Sequence, residues 1–174
     1  LHSLSYILSI FFRNGQTFYI VFVSSMQRDY SLTPALLNVQ SGLVWSYKNP
    51  AVVNVFDDNN LLAILKDNFA ETSFCVFYLS PVWEFDGTNK TRYALLGETD
   101  KWTAVSRQRI SGINIDSSQA LVSVTIEGST NEIVNLSVYN SVLSVVSIKC
   151  PILSTTGQAR LVISPKMVTC SSIY

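Results

Sequence analysis

The residues that could carry catalysis are few in this chain. His2 is the only histidine, and it stands at the terminus, where it is a poor candidate for the base of a Ser–His–Asp or Cys–His triad. Carboxylates occur in close pairs, such as Glu84 with Asp86 and Glu98 with Asp100, and two carboxyl groups at a set separation can hydrolyse a glycosidic bond. Carboxylates at strand ends are more often solvated turn residues. We therefore predict no catalytic residue here, although the chain could be a fragment of a glycoside hydrolase.

Metal-ligand patterns are equally sparse. The run Asp57-Asp58-Asn59-Asn60 offers several oxygens of the kind that calcium prefers. It lacks the spacing of an EF-hand loop, and it is interpreted first as a turn. No Cys-x-x-Cys pair is present, so a structural zinc site is not expected. The sequence predicts neither a metal nor a cofactor.

The aromatic residues are the more suggestive set. Exposed Trp and Tyr rings can stack on sugars or anchor a protein partner. The spacing of two places Trp45 with Tyr47, and Trp83 with Phe85, on one face of a strand. The candidate ligand-binding residues are therefore Trp45, Tyr47, Trp83 and Trp102. The alternative is that these rings form the core of a sheet.

The charge of the chain argues against nucleic acid as a partner. Charged residues make up 14% of the sequence, and the formal net charge is zero, whereas a nucleic-acid binder needs a basic stripe to neutralise phosphates. The segment Arg107-Gln108-Arg109 places two guanidinium groups on one face of a predicted strand. These groups could hold a carboxylate or close a domain interface. A plain surface strand is the alternative.

Several features are typical of extracellular domains. Cys150 and Cys170 could form a disulfide and leave Cys75 as an odd thiol, or all three could be buried free thiols. N-glycosylation sequons begin at Asn89 and Asn135, the first in a predicted turn and the second inside a predicted strand. With the low charge and the high content of Ser, Thr and Asn, these features predict a secreted glycoprotein.

The apolar pattern predicts an all-β fold. Hydrophobic residues make up 48% of the chain, and β-branched types are abundant among them. Strands are predicted at 17–24, 102–106, 121–127 and 133–139, among others, and turn signals separate them at intervals of about 8 to 12 residues. Residues 61–65 fit a helix or a short buried strand, and the strand is favoured by its neighbours. This rhythm indicates an antiparallel β-sandwich or barrel, and we expect the sandwich.

The sequence marks the boundary between domains less clearly than it marks the strands. A cluster of Gly, Thr and Asn at residues 86–92 suggests two abutting β units, 1–88 and 89–174, although a single domain fits as well. Residues 1–12 are apolar but too short to span a bilayer and lack the features of a signal peptide. They predict a first strand or the tail of an upstream element. We expect no membrane span, and we expect the chain to be a piece of a larger protein.

Two stretches resemble the non-catalytic β-sandwich domains of glycoside hydrolase family 35 β-galactosidases. Residues 13–21, Arg-Asn-Gly-Gln-Thr-Phe-Tyr-Ile-Val, are similar to a strand entry found there. Residues 121–148 are similar to a terminal hairpin series, with Gly128-Ser129-Thr130-Asn131 as its turn and residues 142–146 closing it. The resemblance covers about a third of the chain and carries over no catalytic residue.

The resemblance implies an accessory role. We expect a non-catalytic β domain of a larger secreted, carbohydrate-active protein, with an upstream catalytic domain of the same chain as its partner and carbohydrate as a further ligand. The alternative is an extracellular adhesion or protein-interaction module that binds through an exposed aromatic patch.

Overall fold

A computed structural model describes residues 4–12, 15–24, 28–68, 74–85 and 91–174. These residues form antiparallel β-sheets and one four-residue α-helix, which confirms the predicted all-β fold. The chain divides into two compact units: an N-terminal unit of residues 1–9 and 17–82, and a C-terminal unit of residues 10–16 and 83–174. The predicted division after residue 88 falls outside the described residues. Within the described part, no helix has the length and apolar character needed to cross a membrane.

The N-terminal unit is built on one five-stranded sheet. Its strands lie in the order β1-β2-β7-β4-β5, and β3 and β6 form a separate two-stranded ladder. The strands are β1 (Leu4–Phe11), β2 (Thr17–Ser24), β3 (Tyr30–Leu32), β4 (Gly42–Ser46), β5 (Asn49–Phe56), β6 (Leu62–Ile64) and β7 (Phe74–Ser80), with the helix α1 (Pro34–Leu37) after β3. A 3-10 turn, Lys66–Asn68, follows β6. The strand predicted at 17–24 matches β2.

One buried apolar cluster of the N-terminal unit lies on one face of this sheet. The ladder and α1 contribute to it beside the sheet strands, and the buried cluster consists of Val21, Val23, Leu32, Leu37, Val44, Phe56, Leu62, Ile64 and Leu79. Thr33 caps the start of α1, Pro34 takes the first helical position, and Asn38 ends the helix in the left-handed region at φ 54°. The Tyr19 hydroxyl donates to the Leu37 carbonyl over 2.7 Å.

The C-terminal unit is a sandwich of two four-stranded sheets. One sheet has the order β10-β11-β14-β15 and the other β13-β12-β9-β8. The strands are β8 (Trp83–Phe85), β9 (Thr91–Gly97), β10 (Ile110–Asp116), β11 (Leu121–Glu127), β12 (Glu132–Asn140), β13 (Ser144–Ile152), β14 (Gln158–Ile163) and β15 (Val168–Ser172).

Alternation along the strands fills the core of this sandwich. Val122, Val124 and Ile126 of β11 are all fully buried, as the pattern predicts. Residues 128–131 are predicted to be the turn of a hairpin. Instead, β11 pairs with β10 and β14, while β12 pairs with β9 and β13. The turn therefore carries the chain from one sheet to the other and does not close a hairpin.

Two further segments test the predicted strands. The ambiguous stretch 61–65 contains β6, which pairs with β3 and alternates in burial, so the strand interpretation is confirmed. The strand predicted at 102–106 is wrong, and the residues Arg107–Arg109 form a turn and not a strand face. The reason is local: Gly97 ends β9 at φ 83°, and the Glu98 N–H donates to the Ala104 carbonyl over 2.8 Å. This bond folds the segment back on itself.

Candidate functional site

The segment between β9 and β10 crosses from one sheet of the C-terminal unit to the other. We call residues 98–109 the crossover loop. Gly97 is required at its start, because its φ is 83° and a Cβ there would overlap the carbonyl oxygen of Ala104. Inside the loop the Lys101 N–H donates to the Glu98 carbonyl over 3.0 Å, and Ala104 and Val105 are buried. The loop is therefore packed and held, and its tip carries Trp102.

Arg109 anchors the end of the crossover loop through ion pairs and a hydrogen bond. Its Nε lies 3.1 Å from Glu98 Oε2, its Nη2 lies 2.6 Å from Glu132 Oε1, and its Nη1 donates to the Glu127 carbonyl over 2.5 Å. Lys101 Nζ lies 2.5 Å from the second oxygen of Glu98. Arg109 and Glu98 are 16% and 7% exposed in their side chains. Arg109 precedes β10, whereas Glu98 follows β9 and Glu132 begins β12 in the other sheet, so these contacts join the two sheets.

Electrostatics hold this cluster in its charged form. The hydrogen bond to Glu132 raises the pKa of Arg109, against the opposing effect of burial and with help from the charge of Glu98. The hydrogen bond from Arg109, with a second one from the Ser129 N–H, lowers the pKa of Glu132. Each partner therefore stabilises the ionised state of the other.

Gly128 makes room for the guanidinium group. A Cβ at this position would lie 2.7 Å from Arg109 Nη1 and 2.6 Å from Glu132 Oε2. Because such distances are shorter than van der Waals contact, these two side-chain ends, and Ile152 Cδ1, which would lie closer still, would have to shift to make room for a side chain at 128. The glycine in the turn between β11 and β12 is thus part of the cluster.

An open cleft of about 490 Å³ lies beside this cluster. Its size falls within the range of small-molecule sites. It is lined by Glu98, Lys101, Thr103, Ser106, Gln108, Arg109, Glu127 and Gly128. Trp102 stands between two of the lining residues in the chain and is 51% exposed. The hydroxyl and amide groups of Thr103, Ser106 and Gln108 in this lining suit a polar, hydroxyl-rich ligand.

Two of the predicted ligand-binding tryptophans lie elsewhere. Trp45 is 2% exposed in β4, where it stacks on Tyr78 with the ring centroids 4.1 Å apart. Trp83 is 4% exposed in β8, and its Nε1 donates to Gln16 Oε1 over 2.9 Å. The structure thus places both rings in the interior, as the core alternative has it, and neither offers a face for a ligand to stack on.

Tyr47 and Trp102 are the predicted aromatics that reach the surface. Tyr47 is half-buried in the turn after β4, and its N–H donates to the Val76 carbonyl over 2.9 Å. It does not share a strand face with Trp45, because β4 ends at Ser46. Of the four, Trp102 alone adjoins the cleft in the chain.

The other predicted positions divide between described and undescribed residues. Cys150 and Cys170 form a disulfide with a Cα–Cα distance of 5.1 Å, and Cys75 is a half-buried free thiol whose pKa is raised by burial. Asn135 is exposed on β12 opposite Lys149. Asn89, together with His2 and Asp86, lies outside the described residues.

Glu84 and Glu98, one member of each predicted carboxylate pair, both form ion pairs. Glu84 forms an ion pair with Arg92 at 2.8 Å, whereas Glu98 belongs to the Arg109 cluster. Asp57 Oδ1 accepts from the N–H groups of Asn59 and Asn60, each at 2.9 Å, which is the turn that the sequence predicts first. Across the described ranges, no group of three or more His, Cys, Asp or Glu side chains could hold a metal ion.

Sequence reasoning missed the cluster as a unit. It noted that Arg109 could hold a carboxylate, but it assigned Glu98 to a solvated turn and did not consider Glu132. The spacing of 98, 109 and 132 has no period that links them, since the crossover brings them together. The one signal in the sequence is the low content of charged residues, which favours a structural role for the few that are present.

The comparisons with known proteins add no relative. No family model matches the chain, and no curated protein matches it. The resemblance to the β-sandwich domains of family 35 β-galactosidases therefore stays a prediction.

Proposed function

We propose that the chain is a non-catalytic β module of a larger extracellular protein and that it binds ligands without converting them. The state of the carboxylates beside the cleft carries this proposal. Both oxygens of Glu98 are ion-paired, and Glu132 receives Arg109 on one oxygen and the Ser129 N–H, 2.9 Å away, on the other. A general acid or base needs an oxygen within reach of its substrate, and these four oxygens are already occupied. Glu127, the other carboxylate in the lining, accepts from Gln158 Nε2 on its Oε1 over 2.9 Å.

The disulfide supports an extracellular location. Cys150 in β13 and Cys170 in β15 belong to different sheets, so their bond ties the sandwich together. Disulfides that stabilise a fold persist mainly in oxidising compartments. Asn135, the exposed sequon residue on β12, is available for a glycan there.

An accessory role in a carbohydrate-active protein is part of the proposal. It rests on the resemblance to family 35 β-galactosidase sandwich domains, and it makes an upstream catalytic domain the natural partner. Carbohydrate is also the ligand class that best suits the cleft, because Thr103, Ser106 and Gln108 offer neutral hydrogen-bonding groups in its lining and the exposed Trp102 is the chain neighbour of Thr103.

Binding of glycans to the purified chain tests this proposal. We expect a glycan array to give a hit that calorimetry confirms with the same sugar, and Trp102→Ala to weaken that binding at least tenfold. Gln108→Ala should weaken it less. Tyr174→Ala, which removes another exposed aromatic ring, is the matched control and should leave binding unchanged.

Three results would contradict the proposal. Turnover of any glycoside by the purified chain would overturn the non-catalytic role. The absence of glycan binding at millimolar concentrations, or binding that Trp102→Ala leaves intact, would remove the cleft as a carbohydrate site.

Protein interaction is the second candidate function. It was expected to use an aromatic patch, but Trp45 and Trp83 are buried. The observation that favours it is the edge strand β5, whose Val52 and Val55 are 50% and 40% exposed. An exposed apolar edge of a sheet is a site for pairing with another chain.

A further inference from the structure

The strand β5 is the last strand of the five-stranded sheet and pairs only with β4 among the described strands. The backbone N–H and C=O groups on its outer side therefore face away from the sheet, and an extended chain is what satisfies such a row of groups. Its sequence, Asn-Pro-Ala-Val-Val-Asn-Val-Phe, carries no charge. Five of these eight residues are exposed.

The edge strands of the C-terminal unit are protected in ways that β5 is not. β8 has only three residues, β10 has an irregular register near Ile110, and β13 carries Lys149 and Pro151. β15 is tethered by the disulfide at Cys170. Short length, bulges, charge and proline are the means by which edges avoid pairing. β5 shares two of these features, Pro50 and the irregular register at Trp45/Ser46, but it has eight residues and carries no charged side chain.

The surface next to β5 is also without charge. A cleft of about 170 Å³ adjoins the strand, and its walls include Val52, Asn54, Leu62 and Phe77 with no charged side chain among its lining residues. The charged residues nearest in sequence stand at the two ends of the strand, where Lys48 precedes it and Asp57 and Asp58 follow it. Lys48 and Asp58 are exposed. The formal net charge of the whole chain is zero, so copies of the chain do not repel one another through net charge.

We propose that β5 pairs antiparallel with β5 of a second copy about a two-fold axis at Val53, so that the two sheets become continuous. An antiparallel register centred on Val53 brings Lys48 of one copy near Asp58 of the other, twice by symmetry. A parallel arrangement would instead set like charges side by side. This inference rests on the second candidate function, protein interaction, and specifies a second copy of the chain as the partner.

Sedimentation velocity over a range of concentrations tests the pairing with the full chain. We expect a monomer–dimer equilibrium for the native sequence and at least tenfold weaker association for Val52→Lys and for Lys48→Glu. The charge swap Lys48→Glu/Asp58→Lys should restore association, because it rebuilds the pair with the signs exchanged. Val142→Lys is the control, since Val142 is 64% exposed in a turn of the C-terminal unit.

Circular dichroism accompanies each variant to verify folding. If Val52→Lys does not fold, Lys48→Glu carries the test, because it lies in a turn and not in the strand. A chain that stays monomeric at every concentration would overturn the proposal and the homophilic role together. A dimer that is insensitive to Val52→Lys and Lys48→Glu would overturn β5 as the surface while leaving protein interaction as a function.

Discussion

Each of the two units is stabilised internally by a different kind of interaction. In the C-terminal unit polar and covalent links cross between the sheets: the Cys150–Cys170 disulfide, the Arg109 cluster, and the Asn140 amide, which donates to the Ser164 carbonyl over 3.0 Å. In the N-terminal unit the buried cluster is wholly apolar, and the Tyr19 hydroxyl is a polar contact at its margin.

This difference teaches where each unit is vulnerable. The stability of the C-terminal sandwich depends on a few groups that link its two sheets. Loss of one of them leaves a buried charge without a partner or removes the covalent link between the sheets. A sheet covered by a helix and a two-stranded ladder depends on apolar area, and each methyl group lost from its centre counts. The same contrast appears at the edges, where the C-terminal strands are protected and β5 is open.

The largest effect is expected at the centre of the N-terminal core. Phe56 is fully buried, and Phe56→Ala should lower the free energy of unfolding by about 3–5 kcal/mol through lost burial and a cavity. Urea denaturation measures the loss, and hydrogen exchange should assign it to β2, β4 and β7. Val55→Ala, one residue away and 40% exposed, should cost less than about 1 kcal/mol. Equal losses for the two variants would contradict an apolar core at this site.

The next effect belongs to the Arg109 cluster. Arg109→Met should destabilise the C-terminal unit by about 3 kcal/mol, because the buried Glu98 then keeps only Lys101 and Glu132 loses its ion pair. Arg109→Met/Glu98→Leu should recover part of that loss, since the buried charge that lost one of its two partners is gone. Arg107→Met is the matched control, because Arg107 is exposed. Additive losses in the double variant would show that the two residues do not interact.

A smaller effect should appear in the pH dependence of stability. The pKa of Glu132 lies below its ordinary value of 4.5, chiefly because Arg109 donates to it. A carboxylate with a lowered folded-state pKa stabilises the fold above its unfolded pKa and loses that contribution as the pH falls through the folded value. Denaturation midpoints should therefore fall below about pH 4.5, and less steeply in Glu132→Gln. An unchanged slope in that variant would contradict the role of Glu132.

The strands were predictable where alternation is strong. Val122, Val124 and Ile126 alternate with polar neighbours, and this pattern suffices to place β11 and its buried face. Trp45 shows the limit, since β4 is buried along Gly42–Trp45 and a ring on either side of such a strand is hidden. Whether an aromatic is core or binding surface depends on what covers the strand, which local spacing does not encode.

The crossover loop shows a second limit. Residues 102–106 have the apolar content of a strand, but their conformation follows from Gly97 and from the Glu98 backbone bond to Ala104. The site around Arg109 then depends on Glu98 and Glu132, which are far apart in the chain. Local patterns therefore predicted the elements of this unit, whereas the site required the three-dimensional arrangement.

Hydrogen exchange with and without a reductant tests the contrast between the units most directly. Cys150 and Cys170 are separated by 20 residues, and closing a loop of this size stabilises a fold by about 3 kcal/mol. We predict that dithiothreitol speeds amide exchange in β12, β13 and β15 and leaves β2, β4 and β7 unchanged. Equal acceleration in both sets of strands, or none in β13 and β15, would contradict the account.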